Sequence, residues 1–284
     1  MWKPSGKAIE ISEDDKARSE FARTLIKTES TSSSHEVEQQ SYTPKVIVQF
    51  WHDQCVPDDV AECIETWKKL KSIGYEHVLY SNDKAREFIK IHFGNENTKA
   101  YDRCYHPAMK SDYFRLCYIY CKGGLYVDVD DIFNGAKIDH LFEGGQLKLQ
   151  PLCYDISSDQ MVSSRIFFDT DEFSNKWIYY FNNNPILATS KNPIIEYALR
   201  RSTKILLEYN EDVLPEVQST AGPGNLTASI VAYFYSHTSP MKEKDLSVLS
   251  DWEVIAKTIW ELNYRNDSRN WRLSNMRNYY MEVF

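Results

Sequence analysis

The residues of this chain best placed to do chemistry gather in one stretch, 108–131, AMKSDYFRLCYIYCKGGLYVDVDD. Asp128 and Asp130 stand one residue apart at the end of an apolar run, 125–129, that reads as a short strand. Side chains alternate along a strand, so both carboxylates are expected on one side, about 7 Å apart at the backbone, while Val127 and Val129 enter the packing. Like charges that close are costly unless a cation or an ordered shell neutralises them. A hard divalent ion, Mn²⁺ or Mg²⁺, does so, and can hold a diphosphate on its open positions. The plainer reading is that Asp130 and Asp131 open a solvated turn.

The elements that must position this pair are legible around it. Residues 108–122 lack Gly and Pro and carry an apolar stripe at Met109, Phe114, Leu116, Cys117, Ile119 and Tyr120, which predicts a helix ended by Gly123. Pro107 can begin it. Asp112 and Arg115, three apart, share a face of that helix. They form either an exposed ion pair, worth about 0.3–0.5 kcal/mol, or part of a site.

Ser111-Asp112-Tyr113-Phe114-Arg115 followed by Gly123-Gly124-Leu125-Tyr126-Val127-Asp128-Val129-Asp130 resembles the signature of sugar-nucleotide glycosyltransferases with the DXD motif. The family is that of yeast initiating α-mannosyltransferases and bacterial capsular polysaccharide transferases (glycosyltransferase family 32-like), with a more distant similarity to clostridial glucosylating toxins. The resemblance covers residues 44–131 well and the remainder thinly. It implies an α/β, GT-A-like fold with a Rossmann-like nucleotide-binding half and a mixed central sheet flanked by helices. It also implies a metal-dependent, retaining hexosyl transfer from a nucleotide sugar, a UDP-sugar being favoured and GDP-mannose the alternative. Asp128 and Asp130 would hold the metal, Asp112 and Arg115 the sugar hydroxyls, and Tyr126 would lie in the cleft wall. These four charged residues, Asp112, Arg115, Asp128 and Asp130, are the expected catalytic set.

Upstream, residues 1–43 are rich in Ser, Glu, Lys and Thr and read as a polar extension, with a helix at 12–27 that could dock on a body and a mobile stretch at 28–40. The expectation is that this extension is dispensable for donor chemistry. The catalytic domain is then 44–284, divided into a donor half, 44–131, and an acceptor half, 132–284. Residues 45–51, KVIVQFW, form the apolar, β-branched run of a strand covered on both faces. A helix at 57–72, a strand at 75–80 and a helix at 82–91 follow, a β-α-β-α order that implies a doubly wound half with ligands beyond the strand ends. Trp51 lies there; the resemblance gives it the nucleotide base to stack on, and a core Trp at a strand end is the alternative. Asn82 is either a ribose and base contact, by resemblance, or a helix cap.

Beyond 131, strands are expected at 147–153 and 161–168, aromatics for the acceptor side at 177–181, a helix at 192–209 and two strands within 246–260. Residues 219–227, STAGPGNLT, resemble a Thr-Gly-Pro stretch beside the family's active site, which makes Gly222 and Asn225 candidate donor contacts; an ordinary helix start is the alternative. Asn263, Asn266, Asp267 and His237 stand as alternatives for a further metal ligand.

A net charge of −8 argues against nucleic acid as partner, since a phosphate backbone demands clustered Lys and Arg. Six scattered Cys without paired spacing suit a reduced, cytoplasmic setting. No apolar run approaches the length of a membrane span, though peripheral membrane contact is compatible. The expected partners are a nucleotide-sugar donor and a glycan or lipid-linked glycan acceptor in bacterial surface polysaccharide synthesis. A secreted effector acting on a host protein, and a non-catalytic sugar-binding module, are the alternatives.

Overall fold

The structure, a computed structural model, describes residues 6–31, 42–169, 174–210, 212–236, 245–274 and 276–282. Its centre is a mixed sheet. Strands β1 (Val46–Phe50), β2 (Glu76–Tyr80) and β3 (Gly124–Tyr126) run parallel, with β1 between the other two. Two further strands come before the sheet resumes: β4 (Asp131–Phe133), outside it, and β5 (Leu147–Asp155), inside it. β6 (Gln160–Val162), β7 (Trp177–Ala188) and β8 (Leu246–Val248) complete the sheet in the order β2-β1-β3-β7-β5-β6, with β8 beside β5. β7 is antiparallel to β3 and to β5, which makes the sheet mixed. β9 (Ala256–Thr258) pairs separately with β4.

Period-two alternation sorts the core to the two faces of this sheet. Val48, Tyr126 and Ile186 join one apolar cluster, and their neighbours Ile47, Leu125 and Leu187 join another. The helices follow from this. The order runs α1 (Gly6–Glu13), α2 (Asp15–Thr31), α3 (Asp58–Lys68), α4 (Asn82–Phe93), α5 (Asn95–Asp102), α6 (Pro107–Lys122), α7 (Ser164–Asp169), α8 (Pro193–Glu208), α9 (Val217–Thr220), α10 (Pro223–Ser236), α11 (Trp252–Ile255), α12 (Trp271–Ser274) and α13 (Tyr279–Glu282). Apolar residues of α2, α4, α6, α8 and α10 fill the first cluster, and Trp67 of α3 with Trp252 of α11 the second. The result is the expected mixed α/β architecture, with the β1–α3–β2–α4 order on its parallel side.

The central helix is buried almost throughout, and its ends are built as its sequence suggests. Pro107 occupies the first turn, and the His106 ring accepts a hydrogen bond from the Ala108 N–H. After Lys122 the chain must reverse against β7 and β1 at close range. Gly123 and Gly124 both have positive φ, and a Cβ on them would meet Ser190 N at 2.8 Å and Val46 O at 2.9 Å. Only glycine permits both the conformation and the approach.

Three boundaries depart from the sequence reading. The strand at 125–129 is cut to Gly124–Tyr126, because the backbone at 127–130 leaves the sheet. The expected strand at 161–168 divides into β6 and α7, since only Gln160–Val162 pairs with β5. The N-terminal extension is also more than a loose appendage. Ala22 and Ile26 of α2 are fully covered within the main cluster, and the Ser19 hydroxyl accepts a hydrogen bond from the Tyr179 backbone N–H in β7. A helix that looks polar along its sequence thus contributes small and branched residues to the body.

Ile26→Ala is therefore expected to destabilise the protein by about 2–5 kcal/mol through lost burial and a cavity, read as a lower urea midpoint at unchanged m. A loss under about 0.5 kcal/mol, the size of an exposed substitution, would return α2 to the status of an appendage.

Candidate active site

The segment 127–131 departs from β3 into a tight path whose backbone groups are pinned from every side. Val127 N–H donates to Val48 O at 3.1 Å, and Asp128 N–H to Asn184 Oδ1 at 3.0 Å. Gln49 Nε2, from the buried middle of β1, reaches Asp128 O at 3.2 Å, and His77 Nε2 lies 2.8 Å from the other end of the same amide. Ile259 N–H donates to Asp130 O at 2.8 Å, and the Trp67 indole to Asp131 O at 2.8 Å. An irregular buried segment is stable only when its polar groups find partners in this way. The pairing holds the Asp128 and Asp130 side chains in fixed positions at the carboxyl end of the parallel strands.

Each carboxylate has its own cationic partner. Arg115 NH2 lies 2.8 Å from Asp128 Oδ1 and 3.0 Å from Asp112 Oδ1, so one guanidinium bridges the helix and the turn. The same group donates to Asn183 O at 2.7 Å and to Ser111 Oγ at 3.0 Å, and its ring-like plane lies over Tyr126. Burial opposes its charge, but Asp128, Tyr126 and Asp112 raise its pKa above the ordinary arginine value. Asp130 Oδ2 is held by the Arg265 guanidinium and by the Tyr264 hydroxyl at 2.6 Å. Asp131 is turned away, bonded by Asn184 Nδ2 at 2.9 Å and Thr258 Oγ1 at 2.6 Å, and burial with the adjacent Asp130 charge pushes it up to about 7.

A cavity of about 400 Å³ opens over these groups. Asp112, Arg115, Asp128 and Asp130 line it together with Trp51, His52, Gln150, Asn183, Asn184, Pro223 and the segment carrying Trp260, Tyr264, Arg265 and Arg272. Its size and mix of apolar walls with convergent polar groups are those of a small-molecule site. Asp112 is held by Asn183 Nδ2 at 2.9 Å and by Arg115, while burial pushes it up to about 6. Burial likewise pulls His52 down to about 4, so its imidazole is neutral near pH 7.

The structure brings some of the expected contacts together and not others. Trp51 lines the cavity but is 5 % exposed; its indole N–H donates to Cys55 O at 3.0 Å, and Tyr264 packs edge-on at 5.4 Å. It forms a floor. Tyr126 is wholly covered and lies behind the cavity, its hydroxyl 2.7 Å from Ser111 Oγ and 3.2 Å from Asp128 Oδ1. Asn82 does not reach the cavity: its Oδ1 accepts from Tyr101 at 3.0 Å and Lys110 at 3.2 Å. Asn225 is also turned inward, donating to Ala198 O at 3.0 Å and accepting from Arg201 at 3.1 Å, because α10 starts earlier than its Gly-Pro-Gly turn suggests. Gly222 lies beneath Asp112, where a Cβ would come within 3.1 Å of Oδ2.

Asn263, Asn266 and Asp267 do not line the cavity, and Asp267 is paired with Arg269; His237 lies outside the described residues. Among the described residues no group of three or more His, Cys, Asp or Glu could hold a metal ion. The residues that sequence reasoning missed are Asn183 and Asn184 on β7 and the aromatic and arginine segment after β9. A signal existed for the first: three consecutive Asn inside an otherwise apolar strand, FNNNPIL, have no packing reason to be there.

Residues 57–144 match the model of the family described as glycosyltransferase sugar-binding region containing DXD motif. The matched stretch runs from α3 to beyond β4 and contains Asp112, Arg115, Asp128 and Asp130. An uncharacterized glycosyltransferase of Acanthamoeba polyphaga mimivirus is 29% identical over 89 residues, 31% of this chain and 35% of that protein. The chain thus spans about a third of the length of the curated relative it matches. The solved PaToxG glycosyltransferase overlays with a TM-score of 0.45 at 17% identity, over 80% of this chain and 79% of that one. No helix among the described residues is long and apolar enough to cross a membrane.

The raised pKa of Asp112 carries a stability prediction. Between the usual carboxylate value near ~4 and about 6 the folded protein keeps a proton that the unfolded chain releases. This carboxyl's stabilising contribution is thus complete below about pH 4 and is lost as pH rises through 6. Asp112→Asn removes the dependence, so its stability relative to wild type should rise by on the order of 1–3 kcal/mol from pH ~4 to ~6.5 in urea melts. A difference constant across that window would contradict the buried, raised carboxyl.

Proposed function

We propose that the chain is a metal-dependent glycosyltransferase that moves a hexose from a nucleoside-diphosphate sugar to a glycan acceptor, with UDP-sugars favoured and retention at the anomeric carbon. The observation that carries this reading is the convergence of Asp112, Arg115, Asp128 and Asp130 on one cavity at the strand ends, within the region matched by the family model. Asp128 Oδ2 and Asp130 Oδ1 accept no hydrogen bond among the described residues, so each of these cavity-lining carboxylates keeps one hard oxygen uncommitted. Two carboxylate oxygens completed by substrate phosphates are a donor set that suits Mn²⁺ or Mg²⁺. When bound, such an ion supplies Lewis-acid neutralisation of the departing diphosphate.

The chain's own residues perform the rest. Asp112 Oδ2, left over after Arg115 and Asn183 have taken Oδ1, is the acceptor offered to a sugar hydroxyl. Arg115 touches Asp112, Asp128 and the Asn183 backbone at once, which makes it the group that fixes the distance between the sugar contact and the metal-side carboxylate. As the glycosidic bond breaks, positive character grows on the sugar and negative charge on the diphosphate. Asp112 and Asp128 stabilise the first by their charge. On the acceptor side, Leu152, Met161, Tyr180 and the exposed Trp260 form a partly apolar rim suited to pyranose faces. The absence of a block of Lys and Arg and the open rim favour a glycan over a nucleic acid. Surface polysaccharide synthesis in the cytoplasm is the setting we assign.

A panel of UDP- and GDP-sugars with Mn²⁺ tests this directly through release of nucleoside diphosphate. Asp130→Asn is expected to lower turnover at least ~100-fold, the scale of losing one electrostatic stabiliser. Asp112→Ala should lose transfer comparably while free nucleoside diphosphate binds within a few-fold of wild type. Full turnover of Asp130→Asn in chelator would remove the metal assignment, and equal loss of nucleotide affinity in Asp112→Ala would remove the sugar assignment.

A further inference from the structure

Arg265 stands outside the region shared with the glycosyltransferase family model, yet it holds that region's Asp130. Its side chain is 11% exposed, and one NH2 group is spent on Asp130 Oδ2. Its Nε is buried without a hydrogen-bond partner. The guanidinium carbon lies 4.4 Å from the centre of the Trp260 ring. Arg272 lies 5.1 Å from the same ring and also faces the cavity, and its guanidinium has no carboxylate partner among the described residues. Trp260 is 60% exposed at the cavity mouth. Two arginines thus flank one aromatic ring beside the carboxylate assigned to a divalent ion.

Two facts bear on this pair, the first of which, an unpartnered Nε, it shares with Arg115. A buried guanidinium normally satisfies its donors, and leaving one unpaired costs about 1–3 kcal/mol. A carboxylate already neutralised by a guanidinium also binds a divalent ion less strongly, since the arriving cation meets a repelling charge. Both costs disappear if Arg265 can leave Asp130 for an anion in the cavity. A diphosphate offers several acceptors to a planar fork of donors.

We propose that Arg265 is an exchanging counter-ion: it neutralises Asp130 without donor, and passes to the donor's diphosphate, beside Arg272, when a divalent ion takes the carboxylate. This rests on the glycosyltransferase reading above and names its diphosphate-positioning residues. Trp260 keeps the guanidinium in reach of both partners by stacking. The consequence is that the site stays charge-balanced in either state. It also means that divalent ion and diphosphate bind together more strongly than either alone.

The test uses the full chain and two probes, Mn²⁺ without nucleotide and inorganic pyrophosphate in chelator, each titrated by calorimetry. Arg265→Gln is expected to bind Mn²⁺ roughly tenfold more tightly than wild type and pyrophosphate roughly tenfold more weakly, about 1.4 kcal/mol each way. Opposite signs are the point, because damage to the site would weaken both. Arg265→Lys keeps the charge and should stay near wild type for Mn²⁺ while losing part of the pyrophosphate affinity. Arg272→Ala, an exposed substitution, should weaken pyrophosphate without changing Mn²⁺.

Unchanged or weaker Mn²⁺ binding in Arg265→Gln overturns the proposal, and so does unchanged pyrophosphate binding. If Arg265→Gln does not fold, Arg265→Lys and Arg272→Ala decide on the same two constants. A wild-type protein that binds nucleoside diphosphate with Mn²⁺, beside an Arg265→Gln variant with both constants unchanged, leaves the donor site standing and removes only the role of Arg265. A wild-type protein that binds no nucleoside diphosphate with or without Mn²⁺ removes both.

Discussion

Three aspartates, 112, 128 and 130, line one cavity with a fourth, Asp131, buried directly behind them, and the rest of the structure is arranged to make that affordable. Burying a carboxylate without compensation costs several kcal/mol, so each needs a cation, a set of donors or a proton. Here all three devices occur. Arg115 bridges Asp112 and Asp128, Arg265 and Tyr264 hold Asp130, and Asp131 takes two neutral donors with its carboxyl pushed up to about 7.

That charge arrangement explains why distant elements of the chain meet. The helix α6 supplies Asp112 and Arg115 from adjacent turns, and the turn after β3 supplies the paired aspartates. β7 inserts Asn183 and Asn184 between them, one amide on Asp112 and the other spanning the Asp128 N–H and the Asp131 carboxyl. The segment after β9 closes the far side with Tyr264 and Arg265. A site assembled from four separate parts of the chain keeps its geometry only if each part is anchored behind it. Trp67, Gln49 and the β4–β9 pairing do that.

Much of this was legible in the sequence, and what was not has physical causes. The apolar run at 45–51, the helix ended by two glycines and the Asp-Val-Asp spacing each carry a local signature, and β1, α6 and the turn formed where those signatures lie. Alternation places Asp128 and Asp130 on a strand that in fact ends at Tyr126, where the Asp128 N–H turns to Asn184 of β7 and the Asp130 carbonyl to the Ile259 N–H just after β9, both far away in sequence. Asn82 and Asn225 read as ligand contacts but serve as internal hydrogen-bond partners, since the nearest groups to them, Tyr101, Lys110, Arg201 and Ala198, come from other helices. Arg265 had no local signature at all. Its meaning comes only from the carboxylate 135 residues away that it meets.

We propose that the donor lies across Asp128 and Asp130 with its sugar toward Asp112. A crystal structure of the protein with Mn²⁺ and a non-hydrolysable nucleotide sugar tests this most directly. The account predicts the ion on Asp128 and Asp130, the sugar hydroxyls on Asp112, and the diphosphate between that ion and the segment carrying Arg265 and Arg272. A donor bound elsewhere, with the Arg265–Asp130 ion pair undisturbed, would contradict it.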